Sequence, residues 1–262
     1  MVEYMQQSHQ LSQRQACKVI RLPRSSFAYQ KGEKQADKLI IDELSALVDK
    51  HPSIGFWKCY HRLRKAGNSW NHKRVYRIYT TMKLNIRRRA KKRLPVRVKQ
   101  PLTQPAGMNQ CWSMDFMQDS LWNGRKYRLL NIMDDYNREL LTVEIDTSLP
   151  SARVVRALEW IAEDRGLPKA IRVDNGPVFI SNKLVQWCMK KQVELKFIQP
   201  GKPTQNAFIE RLNGSLRKEV LNAHAFFNLE EARKTVEDWM IDYNLKRPHQ
   251  ALGNKTPFEY AA

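Results

Sequence analysis

Three acidic residues in the C-terminal half have the types and positions suited to holding a divalent cation. Asp115 lies among apolar residues of a predicted strand, Asp174 ends a second buried strand, and Glu210 lies beside the apolar face of a predicted helix. A lone carboxylate in an apolar strand is costly unless it is paired or binds a cation. Mg²⁺ and Mn²⁺ prefer carboxylate oxygens, and two such ions about 4 Å apart can clamp the attacking and leaving oxygens of a phosphodiester. The three acids therefore predict phosphoryl transfer with two Mg²⁺ ions, for which Mn²⁺ can substitute.

Other acids of the same region have a simpler explanation. Asp134 and Asp135 precede Tyr136-Asn137-Arg138 between two predicted strands, so we expect them to serve a hairpin turn. Asp119 lies near a strand end, where we expect a solvated side chain. These residues are therefore left out of the predicted site.

The helix predicted for residues 206–220 carries two stripes. Its apolar stripe follows three- and four-residue steps and consists of Ile209, Leu212, Leu216 and Val220. A polar stripe on a second face consists of Asn206, Glu210, Asn213, Gly214 and Arg217. A glycine inside a helix costs roughly 1 kcal/mol relative to alanine. Gly214 therefore indicates either a close approach of DNA or another segment, or packing against a neighbouring helix.

Strands and helices that could position these acids follow in a clear order. The predicted strands cover 110–122, 125–136, 139–147, 169–176 and 193–200. The predicted helices cover 151–166, 181–192, 206–220 and 228–249. The first three strands are joined by short links and should be antiparallel neighbours. The order predicts an α/β fold with a mixed five-stranded sheet flanked by helices.

The N-terminal part predicts only helices. Residues 11–30 have the size and shape of a helix-turn-helix, with Ser12 as N-cap and a break around Leu22–Pro23. Further helices are predicted at 37–52, 55–67 and 71–84. The last has Val75, Ile78, Tyr79 and Met82 on one side. Its basic residues could face phosphates or base edges as a recognition helix does, and they are Lys73, Arg74 and Arg77.

Positive charge is concentrated in the first 100 residues. The formal net charge of the chain is +20; residues 1–100 carry 24 Lys and Arg against 6 Asp and Glu, whereas residues 101–262 carry 22 against 20. A basic arm without acids includes Arg87, Arg88, Arg89, Lys91, Lys92 and Arg93. Phosphate contacts by such an arm give strong, sequence-independent DNA affinity. A solvated basic surface is the alternative, but the adjacent helix-turn-helix favours nucleic acid as the partner.

Several classes of protein are disfavoured. No stretch approaches the roughly 20 apolar residues of a membrane-spanning helix, and the start "MVEYMQQSHQ" lacks the features of a signal peptide. The four cysteines are far apart and form no closely spaced pair, so we expect reduced, mostly buried thiols and no zinc site. These features predict a cytoplasmic protein that is associated with the nucleoid when bound to DNA.

Prolines near residue 100 predict a division into domains. Residues 93–107 contain Pro95, Pro101 and Pro105, which favour an extended linker. We therefore expect a helical DNA-binding region with its basic arm at 1–95, a linker at 96–108 and a catalytic domain at 109–262.

The spacing of the acids resembles a known signature. Asp174 and Glu210 have 35 residues between them, which with Asp115 resembles the Asp-Asp-(35)-Glu pattern of retroviral integrases and bacterial insertion-sequence transposases. Segments similar to the OrfB transposase of the IS-three family are "HPSIGFWKCYHRL" (51–63), "WSMDF" (112–116), "RVDNGPVF" (172–179), "QPGKPTQNAFIERLNGSLRKEVLN" (199–222) and "YNLKRPHQALGNKTPFEYA" (243–261). The resemblance covers essentially the whole chain. The His-His-Cys-Cys zinc module of retroviral integrases is missing, which favours the transposase branch.

This resemblance implies a fold and a set of roles. A ribonuclease H-like integrase catalytic core would place Asp115 on the central first strand, Asp174 on an adjacent strand and Glu210 on a helix that crosses them. Arg217, seven residues after the glutamate, would contact substrate DNA. We also expect Arg211 and Lys218, on the same stretch, among the DNA contacts.

Two hypotheses from different classes follow. In the first, the protein is a Mg²⁺-dependent transposase that cuts strands at the ends of an insertion sequence and transfers a 3′-hydroxyl to target DNA. Its partners would be the terminal repeats, target DNA, further copies of itself in a dimer or larger assembly, and the upstream-frame protein of the element. In the second, it is a non-catalytic helix-turn-helix regulator from a decayed element. The intact acidic triad favours the first.

Overall fold

Residues 1–28, 35–86, 102, 104–199 and 203–262 are described by a computed structural model. They form two compact units, Met1–Glu43 and Leu44–Ala262. The helices that follow Leu44 therefore belong to the same unit as the sheet, and the compact units do not follow the expected boundary near residue 100. Most of the expected linker lies outside the described residues, so the division into a DNA-binding and a catalytic domain stays a prediction.

The first unit begins with short helices, α1 (Val2–His9), α2 (Gln13–Val19) and α3 (Arg24–Ala28). Ser12 caps α2 as predicted, because its hydroxyl accepts from the Gln15 amide while the Gln15 side chain binds back to the Ser12 amide. The predicted break before Pro23 is also present. The helix α1 was not predicted from the sequence.

Helix α4 (Gln35–Lys50) runs across the boundary between the units. Two further helices, α5 (Phe56–Lys65) and α6 (His72–Thr81), form the predicted pair. Asn71 caps α6 by accepting from the Lys73 amide at 2.8 Å. The apolar side of α6 is buried as predicted, through Val75, Ile78 and Tyr79.

A five-stranded mixed sheet forms the centre of the second unit. Its strands are β1 (Cys111–Ser120), β2 (Lys126–Asp134), β3 (Leu140–Asp146), β4 (Ala170–Val173) and β5 (Glu194–Phe197). The order across the sheet is β3-β2-β1-β4-β5. Strands β1, β2 and β3 pair antiparallel, whereas β4 pairs parallel with both β1 and β5. The predicted sheet is therefore confirmed, with β1 in the centre.

Helices cover both faces of this sheet. They are α7 (Ser151–Arg165), α8 (Asn182–Lys191), α9 (Ala207–Leu216), α10 (Leu229–Leu245) and the short α11 (Pro257–Ala261). Met114 packs with α7 and α8 in one apolar cluster, while Met117 packs with α9 and α10 in another. Because side chains alternate along a strand, Asp115 lies on the face that α9 covers.

Two helix predictions need correction. The helix expected at 206–220 is preceded by a 3₁₀ turn (Pro203–Asn206), and α9 ends at Leu216 and continues as a π-helical turn (Arg217–Leu221). Val220 and Leu221 of this wider turn are both buried. Helix α10 ends at Leu245 rather than at 249, because the chain then forms a bridge between His249 and Lys255.

All four cysteines are buried free thiols, as expected. Within the described part of the chain, no helix has both the length and the apolar character needed to cross a membrane.

Candidate active site

The register between β1 and β4 sets two of the predicted acids side by side. Ser113 pairs with Arg172 in the parallel ladder, and Asp115 and Asp174 each follow two residues later. Neighbouring strands lie about 5 Å apart. The pairing therefore brings these two carboxylates to the same place at the end of β4.

Helix α9 brings the third acid to the same region. Asn213 of α9 donates from Nδ2 to Oδ2 of Asp115 at 2.8 Å. Glu210 lies one helical turn before Asn213 on the same side of α9. Its side chain is exposed, whereas Asp115 and Asp174 are half-buried. The helix thus holds a solvent-facing carboxylate over two that are anchored in the sheet.

The charges of these acids act on one another. The pKa of Asp115 is raised to about 6, first by burial and then by the negative charges of Asp174 and Glu210. Hydrogen bonds from the Phe116 amide and the Asn213 side chain act in the opposite direction and lower it. Burial disfavours the charged form of a carboxyl group, and neighbouring carboxylates disfavour it further. A divalent cation bound at Asp115 would favour the ionised form.

A chain of two asparagines fixes the orientation of Asp115. Asn131 of β2 donates from Nδ2 to Oδ1 of Asn213 at 2.6 Å, and Asn213 donates in turn to Asp115. Both asparagines are buried. Asn213 belongs to the polar stripe predicted from the sequence, but no role was predicted for it, and Asn131 was not predicted to belong to the site. A polar residue inside the apolar run of β2 was the signal that could have found it.

The turn after β4 shapes the position of Asp174. Its Oδ1 accepts from the Gly176 amide at 2.8 Å, and Asn175 Nδ2 donates to the Ile198 carbonyl at 2.8 Å. A Cβ at position 176 would lie 2.9 Å from Asp174 Oδ1. A glycine is therefore needed for this carboxylate to bind the backbone of its own turn.

The donor set suits a hard cation, but the carboxylates are not yet gathered around one point. Within the described residues, no group of three or more His, Cys, Asp and Glu side chains is arranged to hold a metal ion. Three carboxylates at one edge of the sheet nevertheless match the ligand preference of Mg²⁺. Metal binding would require the three side chains to move closer together.

Arg217 makes contacts within the chain that the sequence did not predict. Its guanidinium donates to Asp119 Oδ2 at 2.8 Å and to the Gln118 carbonyl at 2.6 Å. Asp119 is therefore ion-paired, and the expectation that it is merely solvated was wrong. The side chain of Arg217 is 35% exposed, so this ion pair is accessible to a competing phosphate. Its role as a DNA contact remains a prediction.

Gly214 faces open space. A Cβ built at this position meets nothing within 4 Å outside its own helix backbone. The suggestion that Gly214 packs against a neighbouring helix was therefore wrong for the described residues. The other suggestion, a close approach of DNA or of another segment, stays open.

The paired acids at the end of β2 do serve the hairpin, and they also anchor it. Asp134 accepts from the Tyr136 amide at 2.9 Å across the turn and forms an ion pair with Arg165. Asp135 accepts from Ser113 Oγ and from Arg172, each at 2.6 Å. Both carboxylates are fully buried, so they stabilise the fold at the sheet end opposite the end of β4.

The remaining predicted DNA contacts lie on several elements. Lys73, Arg74 and Arg77 lie on α6, where Lys73 and Arg77 are exposed and Arg74 is half-buried. Arg211 on α9 and Lys218 on the π-helical turn are exposed. The arm residues fall outside the described part of the chain, and they are Arg87, Arg88, Arg89, Lys91, Lys92 and Arg93.

Three known protein families match parts of this sequence. Two integrase core domain families match residues 105–203 and 191–257, and an HTH-like domain family matches residues 34–93. The HTH-like match contains α5 and α6 and begins after α3. It therefore does not include the helix-turn-helix expected at 11–30.

Individual relatives cover nearly the whole chain. The chain is 39% identical over 252 residues to the insertion element IS407 uncharacterized 31.7 kDa protein of Burkholderia multivorans, covering 96% of this chain and 91% of the relative. It is 25% identical over 262 residues to the putative transposase InsK for insertion sequence element IS150 of Escherichia coli, covering 91% and 89%.

Among solved structures, the simian T-cell lymphotropic virus intasome in complex with a PP2A regulatory subunit is similar, with a TM-score of 0.55 and 15% identity over 83% of this chain and 74% of that one. This similarity concerns the fold alone. Together with the family matches it confirms the predicted fold class, a ribonuclease H-like integrase core preceded by a helical HTH-like region.

Proposed function

Since this chain belongs to the transposase family of insertion elements, we propose that it cuts DNA strands at the ends of its element and joins the freed 3′-hydroxyl to target DNA. The observation that carries the proposal is the placement of three acids at one edge of the sheet. Asp115 and Asp174 lie side by side on β1 and after β4, and α9, which carries Glu210, is hydrogen-bonded to Asp115 through Asn213. Asp134 and Asp135 are paired with arginines of the chain, whereas Asp115 contacts the neutral amide of Asn213, an arrangement that favours a cation-binding role.

We assign the ligand role to Asp115, Asp174 and Glu210, with two Mg²⁺ ions as the cofactor and Mn²⁺ as a substitute. When bound, these ions neutralise the phosphate and activate the attacking oxygen. Asn213 orients Asp115, and the Gly176 amide holds Asp174. Glu210, which is exposed on α9, is the ligand with the greatest freedom to close on the substrate.

The reaction is direct transesterification without a covalent protein–DNA intermediate. A DNA 3′-hydroxyl attacks the target phosphorus in line, a new P–O bond forms, and the target strand leaves as its own 3′-hydroxyl with inversion at phosphorus. Tyr243 on α10 is 5% exposed and belongs to the apolar cluster between α10 and the sheet. Burial raises the pKa of Tyr243 to about 12, which makes it a poor nucleophile and supports the direct route.

DNA binding is assigned mainly to the helical region and its arm. Lys73, Arg74 and Arg77 would enter the major groove on α6, and the arm at 87–93 would add salt-dependent affinity. Two element ends must meet for transposition, so the active form is a dimer or larger assembly, with the upstream-frame protein of the element as a further partner. We place this activity in the cytoplasm, at the nucleoid.

A non-catalytic regulator from a decayed element is the second candidate. Its supporting observation is that no three of the described acids are yet arranged around a metal. The two candidates differ in one assay. Purified protein is incubated with labelled element-end DNA and Mg²⁺, with ends that carry either a 3′-hydroxyl or a 3′-deoxy terminus.

The transposase proposal predicts joined strands from the 3′-hydroxyl ends and none from the 3′-deoxy ends. Binding to element ends without any cleavage, even with the upstream-frame protein supplied, would favour the regulator. Nicked but unjoined DNA, or accumulation of a protein–DNA adduct, would contradict the transesterification route.

A further inference from the structure

Two sequence segments that take no part in the carboxylate site meet on the other side of α9. One segment contributes α5, and the other contributes the end of α10 and the chain that follows it as far as α11. A half-buried ion pair joins them, since Arg62 of α5 donates to both carboxylate oxygens of Asp242 on α10, the longer contact being 3.0 Å. Lys65 and Glu259 form a second ion pair between the same segments. The two segments are therefore held in a fixed arrangement before any ligand binds.

A cavity of about 590 Å³ lies between these segments and α9. We call it the basic cavity. Its cationic side chains come from four separate places in the sequence, namely Lys58, Arg138, Arg211 and Arg247. None of the described residues that line it is Asp or Glu. Glu219 pairs with Arg247 from outside the cavity, which leaves the other cations without an acid in the lining.

Burial and the neighbouring positive charges both lower the pKa values of titratable groups in the basic cavity. Burial first, and the charge of Arg247 second, lower the pKa of Lys58 to about 8. Burial and then the charge of Arg247 lower the pKa of His249 to about 3. In addition, Nε2 of His249 is buried without a hydrogen-bond partner. A bound anion would relieve the repulsion, and a ligand with polar atoms could satisfy His249.

An aromatic surface adjoins the basic cavity. Trp57 lines the cavity and is 58% exposed. Its ring is nearly parallel to those of His61 and His72, with interplanar angles of 29° and 30° and centroid separations of 6.1 and 5.9 Å. An exposed indole beside cationic groups is the arrangement on which unpaired bases stack in single-strand binding sites.

Helix α9 lies between the basic cavity and the carboxylates. Phe208, Arg211 and Ser215 line the cavity from one side of the helix, whereas Glu210 and Asn213 belong to the side that faces Asp115. A helix with its side chains is about 10–12 Å across. A DNA strand could therefore contact both places within a few nucleotides.

We propose that the basic cavity binds a phosphate of an unpaired DNA strand while the adjoining base stacks on Trp57. The choice of DNA rests on the proposed function. A duplex fits less well, because its bases are already stacked and its phosphates lie on a convex surface. The site would hold the frayed strand next to the scissile end.

Binding of a labelled single-stranded oligonucleotide to the full-length protein tests this, by fluorescence anisotropy without divalent metal. The variants are Trp57→Ala and Arg211→Gln, both at exposed positions that should fold. Trp160→Ala and Arg156→Gln on α7 are matched controls, because these residues are also exposed and α7 covers the opposite face of the sheet.

Trp57→Ala should weaken single-strand binding about 10-fold, the size expected for one stacked base. Arg211→Gln should flatten the salt dependence by about 0.7 in the log–log slope, as loss of one phosphate contact requires. An oligonucleotide with an abasic terminal residue should bind wild type as weakly as Trp57→Ala binds the intact one. Duplex binding should change less than single-strand binding.

Unchanged single-strand binding in both cavity variants, or equal losses in the α7 controls, would overturn the inference. The metal-free binding assay is independent of strand transfer. If the protein transfers strands but the cavity variants bind normally, only the cavity assignment fails. If the cavity variants lose binding while wild type transfers nothing, the proposed function fails and the site stands.

Discussion

Gly214 offers a substitution whose effect on stability follows from the structure. It lies inside α9, its backbone is outside the left-handed region, and an added Cβ meets no atom within 4 Å. Alanine at this position should therefore gain the helix propensity difference, roughly 1 kcal/mol, without a steric penalty. For a cooperative unit of about 220 residues, this gain raises Tm by about 2–4 °C.

Thermal unfolding followed by calorimetry measures this shift, and Gly166→Ala is the matched control. Gly166 ends α7 with φ 83° and ψ 175°, a conformation that is open essentially only to glycine. Alanine there should cost about 1–3 kcal/mol and lower Tm. A lower Tm for Gly214→Ala would refute the conclusion that the exposed side of α9 is open at this position.

The same variant tests why a glycine is present. If DNA approaches the helix at Gly214, the alanine variant should be more stable than wild type and yet slower in strand transfer. A more stable protein with unchanged strand transfer would contradict a close approach of DNA at this residue.

The remaining predictions concern three contacts. Asn213→Ala should raise the Mg²⁺ concentration needed for half-maximal strand transfer, because Asp115 loses the donor that orients it; an unchanged metal requirement would contradict this role. Asp242→Asn should cost about 1–3 kcal/mol in urea unfolding, because the half-buried Arg62 is left without its charged partner. Burial raises the pKa of Asp242, but the hydrogen bond and charge of Arg62 outweigh burial, so the net pKa is lowered. Wild type should therefore lose this stabilisation as pH falls below 3.8, whereas the variant should show no such loss. Arg217→Ala should reduce the rate of strand transfer more than DNA affinity; equal reductions would place Arg217 among the general affinity contacts.

Local patterns were sufficient to predict most of the fold. Strand β1 was predicted at 110–122 and runs over Cys111–Ser120. This prediction succeeded because the alternation of apolar and polar residues, with aromatic residues among them, marks a strand without reference to the rest of the chain. Caps were equally local, as Ser12 illustrates. Helix α1 escaped prediction because its sequence has no strong apolar stripe, and only Val2 of it is buried.

Contacts between distant segments could not be predicted in this way. Arg217 and Asp119 are 98 residues apart, and their ion pair depends on where α9 crosses β1. The π-helical turn also depends on distant contacts, because its Glu219 binds Trp239 and Arg247. Nothing in the local sequence around Glu219 marks that wider turn.

The candidate site illustrates both cases. The three acids could be named from their types and spacing, since an acid in an apolar strand is conspicuous. The role of Asn213 could not, because a buried amide on a polar helix stripe is recognised only when its partner is known, whereas Asn131 was marked by its position inside an apolar strand. The basic cavity was hidden for the same reason, since Trp57 and Arg247 are far apart in sequence and meet only in the folded chain.

The central claim is that three carboxylates carry out strand transfer, and the most direct measurement compares the isosteric variants of each. Asp115→Asn, Asp174→Asn and Glu210→Gln are assayed for joined product with element-end DNA and Mg²⁺, beside Glu159→Gln on α7 as a matched control. We expect no joined product from any of the three, normal DNA affinity in all, and wild-type joining by the control. Robust strand transfer by any one of the three variants would contradict the assignment of the active site.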